Sequence, residues 1–318
     1  MRVFVAGTTG TLGRPVVKLL LSRGHEVIGL TRSATRARAL SAAGVTAVVG
    51  DALDRVTMTA LMAQTRPDQV LHLLTALPPA GPMRRRDLTA TNTLRTIGTA
   101  NLIEAAAAAG ASRMVAESFV GVYGPVPSGR RVHEDEPLPP PGRTATAEAV
   151  EALRSLEAQL RDARATGRLT TVALRIGFLY GSDVPATQAM ARQARSGRLY
   201  APRDFTGAGP FVHVDDAAAA VVAAAEHASP STVYNVVDDQ PVKLTAFLAD
   251  LAAALGAAPP RHVPRWVVRL AAPLMAEFGS MTLMPANDRI KRELAWRPRY
   301  PTVSDGLAEV RQRLAEAA

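Results

Sequence analysis

The stretch Val3-Phe4-Val5-Ala6-Gly7-Thr8-Thr9-Gly10-Thr11-Leu12-Gly13 decides the fold of this 318-residue chain. It joins a short apolar run to a turn whose glycines recur at every third position, and a helical pattern follows from Leu12 to Ser22. Glycine permits positive φ angles and a close approach of the backbone to a pyrophosphate, while the N-terminus of a helix attracts an anion. This strand, turn and helix therefore predict a bound dinucleotide. Its contacts are expected from Gly7, Thr9, Gly10, Thr11, Leu12 and Gly13.

Short apolar runs alternate with longer helical stretches up to about residue 175, a pattern typical of βαβ units around a parallel sheet. The predicted strands run from Val3 to Ala6, Val27 to Leu30, Ala47 to Val49, Val70 to Leu74, Met114 to Ala116 and Val172 to Leu174. The predicted helices between them run from Leu12 to Ser22, Arg36 to Ala42, Met58 to Gln64, Thr93 to Ala109 and Ala147 to Ala163. Right-handed crossovers then give an α/β fold with a doubly wound parallel sheet, a Rossmann fold.

Beyond Arg175 proline and glycine become more frequent, and helical patterns dominate from Leu244 to Ala254 and from Arg265 to Glu277. We predict a dinucleotide-binding Rossmann domain over residues 1–175 and a smaller, mostly helical substrate lobe over residues 176–318. Part of the second segment is expected to cross back to the sheet.

Composition excludes several classes of protein. The net charge is +9, but only three of the 37 basic residues are lysines, and the arginines are scattered without interleaved aromatic residues. We therefore expect no nucleic-acid partner. No apolar run reaches the roughly 20 residues of a membrane span, and no leader precedes the first strand, so a cytoplasmic location is expected. Without cysteine, and without a histidine pair at helical spacing, no metal site is predicted.

The end of the second predicted strand, Leu30-Thr31-Arg32-Ser33, bears on the choice of dinucleotide. NAD usually has its ribose held by a carboxylate at this position, and none is present. Arg32 and Arg36 are instead predicted to bind a 2′-phosphate, because a guanidinium matches its geometry. The expected cofactor is NADP, with NAD as the lesser alternative.

Residues after the third and fourth predicted strands complete the expected dinucleotide site. Asp51, followed by Ala52, is placed to accept a hydrogen bond from the adenine amino group, although it could equally cap the next helix. Leu74 and Thr75 lie at the carboxyl edge of the sheet, where the nicotinamide ribose would pass.

Five blocks in order resemble the extended short-chain dehydrogenase/reductase family, in its branch of NAD(P)-dependent epimerases, dehydratases and reductases. They are the glycine turn, Gly98 to Ala106, Ser118 to Gly124, Leu174 to Gly181, and Phe211 to Asp216. The resemblance spans nearly the whole chain and implies a cleft of substrate size between the sheet and the second lobe.

The resemblance also implies catalytic residues, and here the chain departs from the family. The family places a tyrosine, and a lysine four residues later, on the helix after the serine strand, where they handle the substrate proton. If Glu157 is aligned with the glutamate that often follows the lysine, those positions are Ala149 and Leu153. Neither side chain can donate or accept a proton. Ser118 matches the family serine and is predicted to hydrogen-bond a substrate carbonyl. Tyr123 is a second catalytic candidate, with packing in the interior as its alternative.

Two histidines are interpreted as structural. His72 lies in an apolar predicted strand and is expected to be a hydrogen-bonded core residue. His213 is expected to order the chain between the lobes, with Asp215 and Asp216 capping the alanine-rich helix that follows.

Three hypotheses of function follow. The first is an NADP-dependent oxidoreductase acting on a carbonyl or alcohol of a small metabolite, either a sugar nucleotide or a secondary-metabolite intermediate. The second is a redox-neutral isomerase or cyclase that retains a bound dinucleotide, which the missing dyad favours. The third is a non-catalytic NADP-binding sensor. The sequence leaves a homodimer open.

Overall fold

The computed structural model describes residues 1–124, 130–138, 144–203 and 205–316. Seven strands form one sheet: β1 (Arg2–Ala6), β2 (Glu26–Thr31), β3 (Thr46–Val49), β4 (Gln69–His72), β5 (Arg113–Phe119), β6 (Thr170–Ile176) and β7 (Val233–Val236). All pairings are parallel, in the order β7-β6-β5-β4-β1-β2-β3. The predicted doubly wound Rossmann fold is confirmed. Strand β7, which the sequence analysis missed, brings the chain back to the sheet edge.

Helices cover both faces of the sheet and continue through the second half of the chain. They are α1 (Gly13–Ser22), α2 (Ala34–Ala42), α3 (Arg55–Thr65), α4 (Thr89–Thr93), α5 (Thr99–Ala108), α6 (Ala147–Ala165), α7 (Pro185–Arg195), α8 (Val214–Glu226), α9 (Leu244–Ala254), α10 (Arg265–Ala271), α11 (Pro273–Phe278), α12 (Asp288–Glu293) and α13 (Val303–Glu316). A π-helical turn, Leu94–Gly98, joins α4 to α5. Short 3-10 turns cover Arg85–Leu88 and Val120–Tyr123.

Four short strand pairs lie outside the central sheet. Arg131–Val132 pairs with Met284–Pro285, Phe178–Tyr180 with Phe211–His213, Tyr200–Pro202 with Arg261–Val263, and Ala208–Gly209 with Val242–Lys243. Through them, segments from the second half of the chain are held above the carboxyl edge of the sheet.

The alternation of side chains along β1 divides the core into two layers. Val3 and Val5 pack with α1 and α8, whereas Phe4 and Ala6 pack with α3 and α5 on the opposite face. All four side chains are fully buried. A parallel strand covered on both faces needs a continuous apolar run, which is why this run predicted the strand correctly.

Two predicted helices have different boundaries in the structure. The stretch from Thr93 to Ala109 begins as the π-helical turn before α5 starts. The stretch from Arg265 to Glu277 is two helices that meet at Ala272, because Pro273 lacks an N–H and restricts the residue before it. None of the helices in the described segments has the length and apolar composition that a membrane crossing requires.

Candidate active site

The glycine turn passes directly over the end of β4. Gly7 has φ of +109°, and a Cβ added there would lie 2.4 Å from the Leu73 carbonyl oxygen. A Cβ on Gly13 would lie 1.9 Å from the Gly7 carbonyl oxygen. Both positions therefore require glycine for the turn itself. At Gly10 a Cβ would meet only the Gly7 oxygen, at 3.2 Å, so this residue borders open space.

The start of α1 fits an anionic group. Leu12 is the N-cap residue of α1, and no side chain caps the first amides of the helix. Thr9 and Thr11 are half-buried beside it, and the buried Thr8 hydroxyl donates to the Leu30 carbonyl oxygen at 2.9 Å, which ties the turn to β2. Uncapped amides and the helix dipole both favour a pyrophosphate at this point.

Three predicted cofactor residues share one exposed region at the ends of β2 and β3. The Arg32 side chain is 75% exposed, and its Nη1 lies 4.0 Å from Asp51 Oδ2. Arg36 is exposed in the first turn of α2. Asp51 Oδ1 accepts a hydrogen bond from the Leu53 amide at 3.0 Å. The alternative that Asp51 caps the next helix is wrong, because Asp54 caps α3 instead.

The remaining predicted cofactor residues lie along the same edge. Ala52 is buried, and its carbonyl oxygen accepts from Asn101 Nδ2 at 2.9 Å. Leu74 is half-buried and Thr75 is exposed, directly beyond β4. The structure thus brings all twelve predicted positions to the carboxyl edge of β1 to β4, and their contacts with a dinucleotide stay predictions.

His72 is a buried core residue, as predicted. Its Nε2 lies 3.0 Å from Thr99 Oγ1, and since that hydroxyl donates to the Arg95 carbonyl oxygen, the histidine is the donor. Burial, helped by the positive charge of Arg95, lowers the pKa of His72 to about 4. The ring is therefore neutral near pH 7 and is no proton source at that pH.

Ser118 lies on the face of β5 that packs against α6. It is 1% exposed, and its Oγ donates to Glu157 Oε1 at 2.7 Å. Arg175 on β6 holds the same carboxylate in bidentate fashion, with Nε 2.9 Å from Oε1 and Nη2 2.7 Å from Oε2. The hydroxyl would reach a substrate only if it gave up this bond. The catalytic role of Ser118 stays a prediction, which this geometry does not favour.

Tyr123 belongs to the same buried network. The Arg175 guanidinium stacks 4.6 Å from the centre of the tyrosine ring, and the Tyr123 hydroxyl donates to Asn235 Oδ1 at 2.9 Å. Tyr123 is 3% exposed. This is the arrangement expected if Tyr123 packs in the interior, and a catalytic role for Tyr123 stays untested.

His213 orders the junction between α8 and α13. Its Nδ1 accepts from the Asp215 amide at 3.2 Å, and its Nε2 lies 3.1 Å from Glu309 Oε2. The predicted role of ordering the chain between the lobes stays a prediction, because α8 and α13 both lie in residues 176–318. The prediction that the aspartates cap α8 is wrong, because the His213 side chain is the cap and Asp216 accepts from the backbone amides of residues 299 and 300.

Ligand atoms of His213, Asp215 and Glu309 lie within 4.8 Å of one another, a spacing that could hold a metal ion. Arg313 already neutralises this group, with Nε 2.5 Å from Glu309 Oε1 and Nη2 3.5 Å from Asp215 Oδ2. The guanidinium supplies the positive charge that a cation would bring, so the cluster is an ion-pair network.

Residues 3–237 match the profile of the NAD-dependent epimerase/dehydratase family. The chain belongs to this family. A "3-diazoavenalumate denitrifying reductase" of a Streptomyces species is 39% identical, over 96% of this chain and 99% of that protein. A "4-hydroxy-2-methyl-3-oxo-4-farnesyl-3,4-dihydroquinoline-1-oxide ketoreductase" of Stigmatella aurantiaca is 30% identical, over 78% of this chain and 71% of that protein.

Two solved structures show the same fold. UDP-glucose 4-epimerase from Thermus thermophilus, in complex with NAD, has a TM-score of 0.80 and 24% identity, covering all of both chains. A human epimerase family protein with NADPH has a TM-score of 0.78 and 21% identity, covering 98% of this chain and 99% of that one. With reductases among its relatives and an epimerase fold throughout, this family member is an enzyme of the oxidoreductase and epimerase group.

The two positions that alignment on Glu157 predicts for the family dyad are apolar and closed to solvent. Ala149 is 7% exposed and Leu153 is 1% exposed, both on α6. Leu153 packs in an apolar cluster with Val120 and Val122. Neither side chain can donate a proton, and the assignment of the dyad to these two positions stays a prediction.

An aromatic group at the carboxyl end of β5 was not predicted from the sequence. The rings of Phe119, Phe178 and Phe278 meet edge to face, with centroids 5.3, 5.7 and 5.8 Å apart. All three are half-buried. They come from β5, from the strand after β6 and from α11, so only the fold brings them together. The one signal in the sequence was that the chain has just seven phenylalanines.

Proposed function

We propose that this family member is an NADP-dependent reductase of a ring-bearing secondary metabolite. The observation that carries the proposal is the half-exposed aromatic group of Phe119, Phe178 and Phe278 at the carboxyl end of the central strand. Aromatic edges and faces bind planar rings favourably, by about 0.5–1.5 kcal/mol per contact beyond the buried area.

The choice of NADP rests on the exposed region at the end of β2. Arg32 and Arg36 are both exposed there, and no carboxylate stands at the end of β2 to hold an unphosphorylated ribose. The uncapped start of α1 suits the pyrophosphate. When bound, the reduced dinucleotide would supply the hydride.

The aromatic group favours a ring-bearing metabolite over a sugar nucleotide. A sugar diphosphate is recognised by hydroxyl, amide and guanidinium donors, which three phenylalanine edges do not offer. Among the relatives, one is named as a quinoline-oxide ketoreductase, so a ring ketone is the substrate class that we propose first.

A diazo group is a second candidate acceptor, favoured by the apolar side chains at Ala149 and Leu153. Replacing the nitrogen of a diazonium cation with hydride yields an R–H bond and dinitrogen, and this net reaction consumes no further proton. The absence of the tyrosine and lysine would then not slow the reaction. The relative that is 39% identical to this chain is named for such a denitrifying reduction.

Turnover of NADPH with a bicyclic aromatic ketone and with an aryl diazonium salt tests both candidates. Loss of NADPH absorbance should accompany one of two products in the mass spectrum. The ketone should give an alcohol that is two hydrogen atoms heavier, and the diazonium salt should give a product in which hydrogen has replaced dinitrogen. Phe178→Ala should raise KM about tenfold through lost ring contacts. Trp266→Ala, at a 65% exposed position on α10, is the matched control and should leave KM unchanged. Tight NADPH binding with no oxidation by either class would contradict a reductase.

A further inference from the structure

Glu117 stands next to the cofactor turn at the end of the central strand. In the sheet register Ala116 pairs with His72, so Glu117 follows on β5 where Leu73 follows on β4. The Leu73 carbonyl is the group that a Cβ on Gly7 would strike. Adjacent strands lie about 4.8 Å apart. Glu117 is therefore one strand away from the turn that fits the dinucleotide.

The direction of the Glu117 side chain follows from its neighbours. Ser118 points to α6, where it bonds Glu157. Because side chains alternate along a strand, Glu117 and Phe119 share the opposite face, with Val115, which packs in the layer of α1 and α8. The Glu117 carboxyl group thus lies on the face of the sheet that α1 and α8 cover, and Phe119 of the aromatic group follows on the same face.

The carboxyl group is available for chemistry. Glu117 is half-buried, and in the segments that the structure describes no hydrogen bond or ion pair involves its side chain. Burial raises the pKa of Glu117 to about 7, although the positive charge of Arg95 opposes the rise. Both protonation states are therefore populated near neutral pH.

Two ionisable groups on neighbouring elements do not titrate near pH 7. Arg95, on the π-helical turn, is 8% exposed and stays protonated. His72 on β4, whose ring points to α5 on the opposite face of the sheet, is neutral because its pKa is about 4. On the other face of β5, Arg175 neutralises the Glu157 carboxylate.

We propose that Glu117 supplies the proton that accompanies hydride addition, in place of the tyrosine and lysine that this family member lacks. This inference rests on the proposed reductase function with a ketone. Reduction adds a hydride from the reduced dinucleotide to the carbonyl carbon, and the π electron pair of the C=O bond moves to oxygen. Glu117 gives its proton to that oxygen, so the products are an alcohol, the oxidised dinucleotide and the Glu117 carboxylate. Water then reprotonates the carboxylate at its exposed side.

The first test needs no substrate. A carboxylate beside the cofactor should favour the oxidised dinucleotide, whose nicotinamide ring is cationic, over the reduced form. The ratio of the NADPH to the NADP⁺ dissociation constants, measured by calorimetry from pH 5.5 to 8.5, should rise about fivefold with a midpoint near pH 7. Titration of the 2′-phosphate cancels in this ratio. Glu117→Gln should make the ratio flat, and Glu104→Gln, a half-exposed surface carboxylate on α5, should leave it as in wild type.

The second test uses turnover of the bicyclic aromatic ketone. Glu117→Gln should lower kcat about 100-fold with little change in KM, and the fall of kcat as pH rises through 7 should vanish. If Glu117→Gln does not fold, Glu117→Asp carries both tests, since it should keep a pH-dependent ratio while lowering kcat. A wild-type ratio that is constant with pH, or a Glu117→Gln variant with wild-type ratio and kcat, would overturn the proposal. A titrating ratio without reduction of any ketone would instead refute the proposed ketone reduction and, with it, the proton transfer. The placement of Glu117 beside the cofactor would still stand.

Discussion

The Ser118 hydroxyl donates to the Glu157 carboxylate over 2.7 Å, inside the layer between the sheet and α6. That carboxylate is also the counter-charge of Arg175, whose side chain is 4% exposed. The serine at the end of the central strand is thus part of the support of a buried ion pair. Since a buried carboxylate needs all of its donors, the bond has a structural reason that is independent of any substrate.

Substitutions in this network should show how much Glu157 and Ser118 contribute to the stability of the fold. Glu157→Gln leaves Arg175 buried without a counter-charge and should lower the free energy of unfolding by about 3–5 kcal/mol. Ser118→Ala removes one donor and should cost about 1–2 kcal/mol. Urea unfolding measures both. Ser41→Ala, at an exposed site on α2, should change stability by less than about 0.5 kcal/mol.

The kinetics of Ser118→Ala decide its predicted catalytic role. If the serine only supports the ion pair, kcat should stay within about threefold of wild type. A loss of about 100-fold in kcat with unchanged unfolding would instead show that the hydroxyl leaves Glu157 to contact the substrate.

Two glycines of the turn should respond differently to alanine. Gly10→Ala places a Cβ 3.2 Å from the Gly7 oxygen and otherwise in open space. The fold should tolerate it, while the dissociation constant of NADPH rises at least about tenfold, because the backbone can no longer approach the pyrophosphate. Gly13→Ala, with a contact of 1.9 Å, should destabilise the fold itself. Fluorescence titration and thermal melts distinguish the two effects. Wild-type NADPH affinity in Gly10→Ala would contradict a dinucleotide at this turn.

The parts of the fold that the sequence predicted correctly are local. Strand β1, the glycine turn and α1 follow one another without interruption, so the pattern contains the whole unit. Strand β7 was missed because it has only four residues, one of them Asn235, and its hydrogen-bonding partner β6 lies far away in the chain. A short edge strand of this kind depends on its neighbour more than on its own composition.

The catalytic end of the site was harder to predict for the same reason. The sequence shows a serine at the end of β5, but the face that it occupies depends on Glu157 and Arg175, which belong to other elements. The aromatic group likewise needs three separate segments to meet. Glu117 gave no signal, because a glutamate within an apolar run has no motif, and only burial changes its pKa.

Arg32 should determine the preference for the phosphorylated dinucleotide. Arg32→Ala removes an exposed guanidinium at the end of β2, and the dissociation constant of NADPH should rise about tenfold or more while that of NADH hardly changes. Arg38→Ala, an exposed position further along α2, is the matched control and should affect neither. Equal losses for NADPH and NADH in Arg32→Ala would show that the side chain does not bind the 2′-phosphate.

Asp238 should make the stability of the fold depend on pH. It is 3% exposed, its Oδ2 has no partner among the described residues, and burial raises its pKa to about 8, with Asp239 and Asp216 adding to the rise. In the unfolded chain an aspartate has a pKa of about 3.9. Between these values the folded state retains a proton that the unfolded state has lost. Stability should therefore fall as pH rises from about 4 to 8.

Asp238→Asn removes this titration and should stabilise the protein at pH 8.5 relative to pH 5, by at least about 1 kcal/mol in urea unfolding. Asp239→Asn is the contrasting control. Although burial opposes it, the pKa of Asp239 is lowered, because Lys291 and Asn287 donate to its carboxylate. Its contribution is complete above the unfolded pKa, so Asp239→Asn should destabilise the protein by a similar amount at both pH values. Parallel pH profiles for wild type and Asp238→Asn would show that Asp238 is ionised in the folded protein, because only a proton retained on folding gives the wild type its slope.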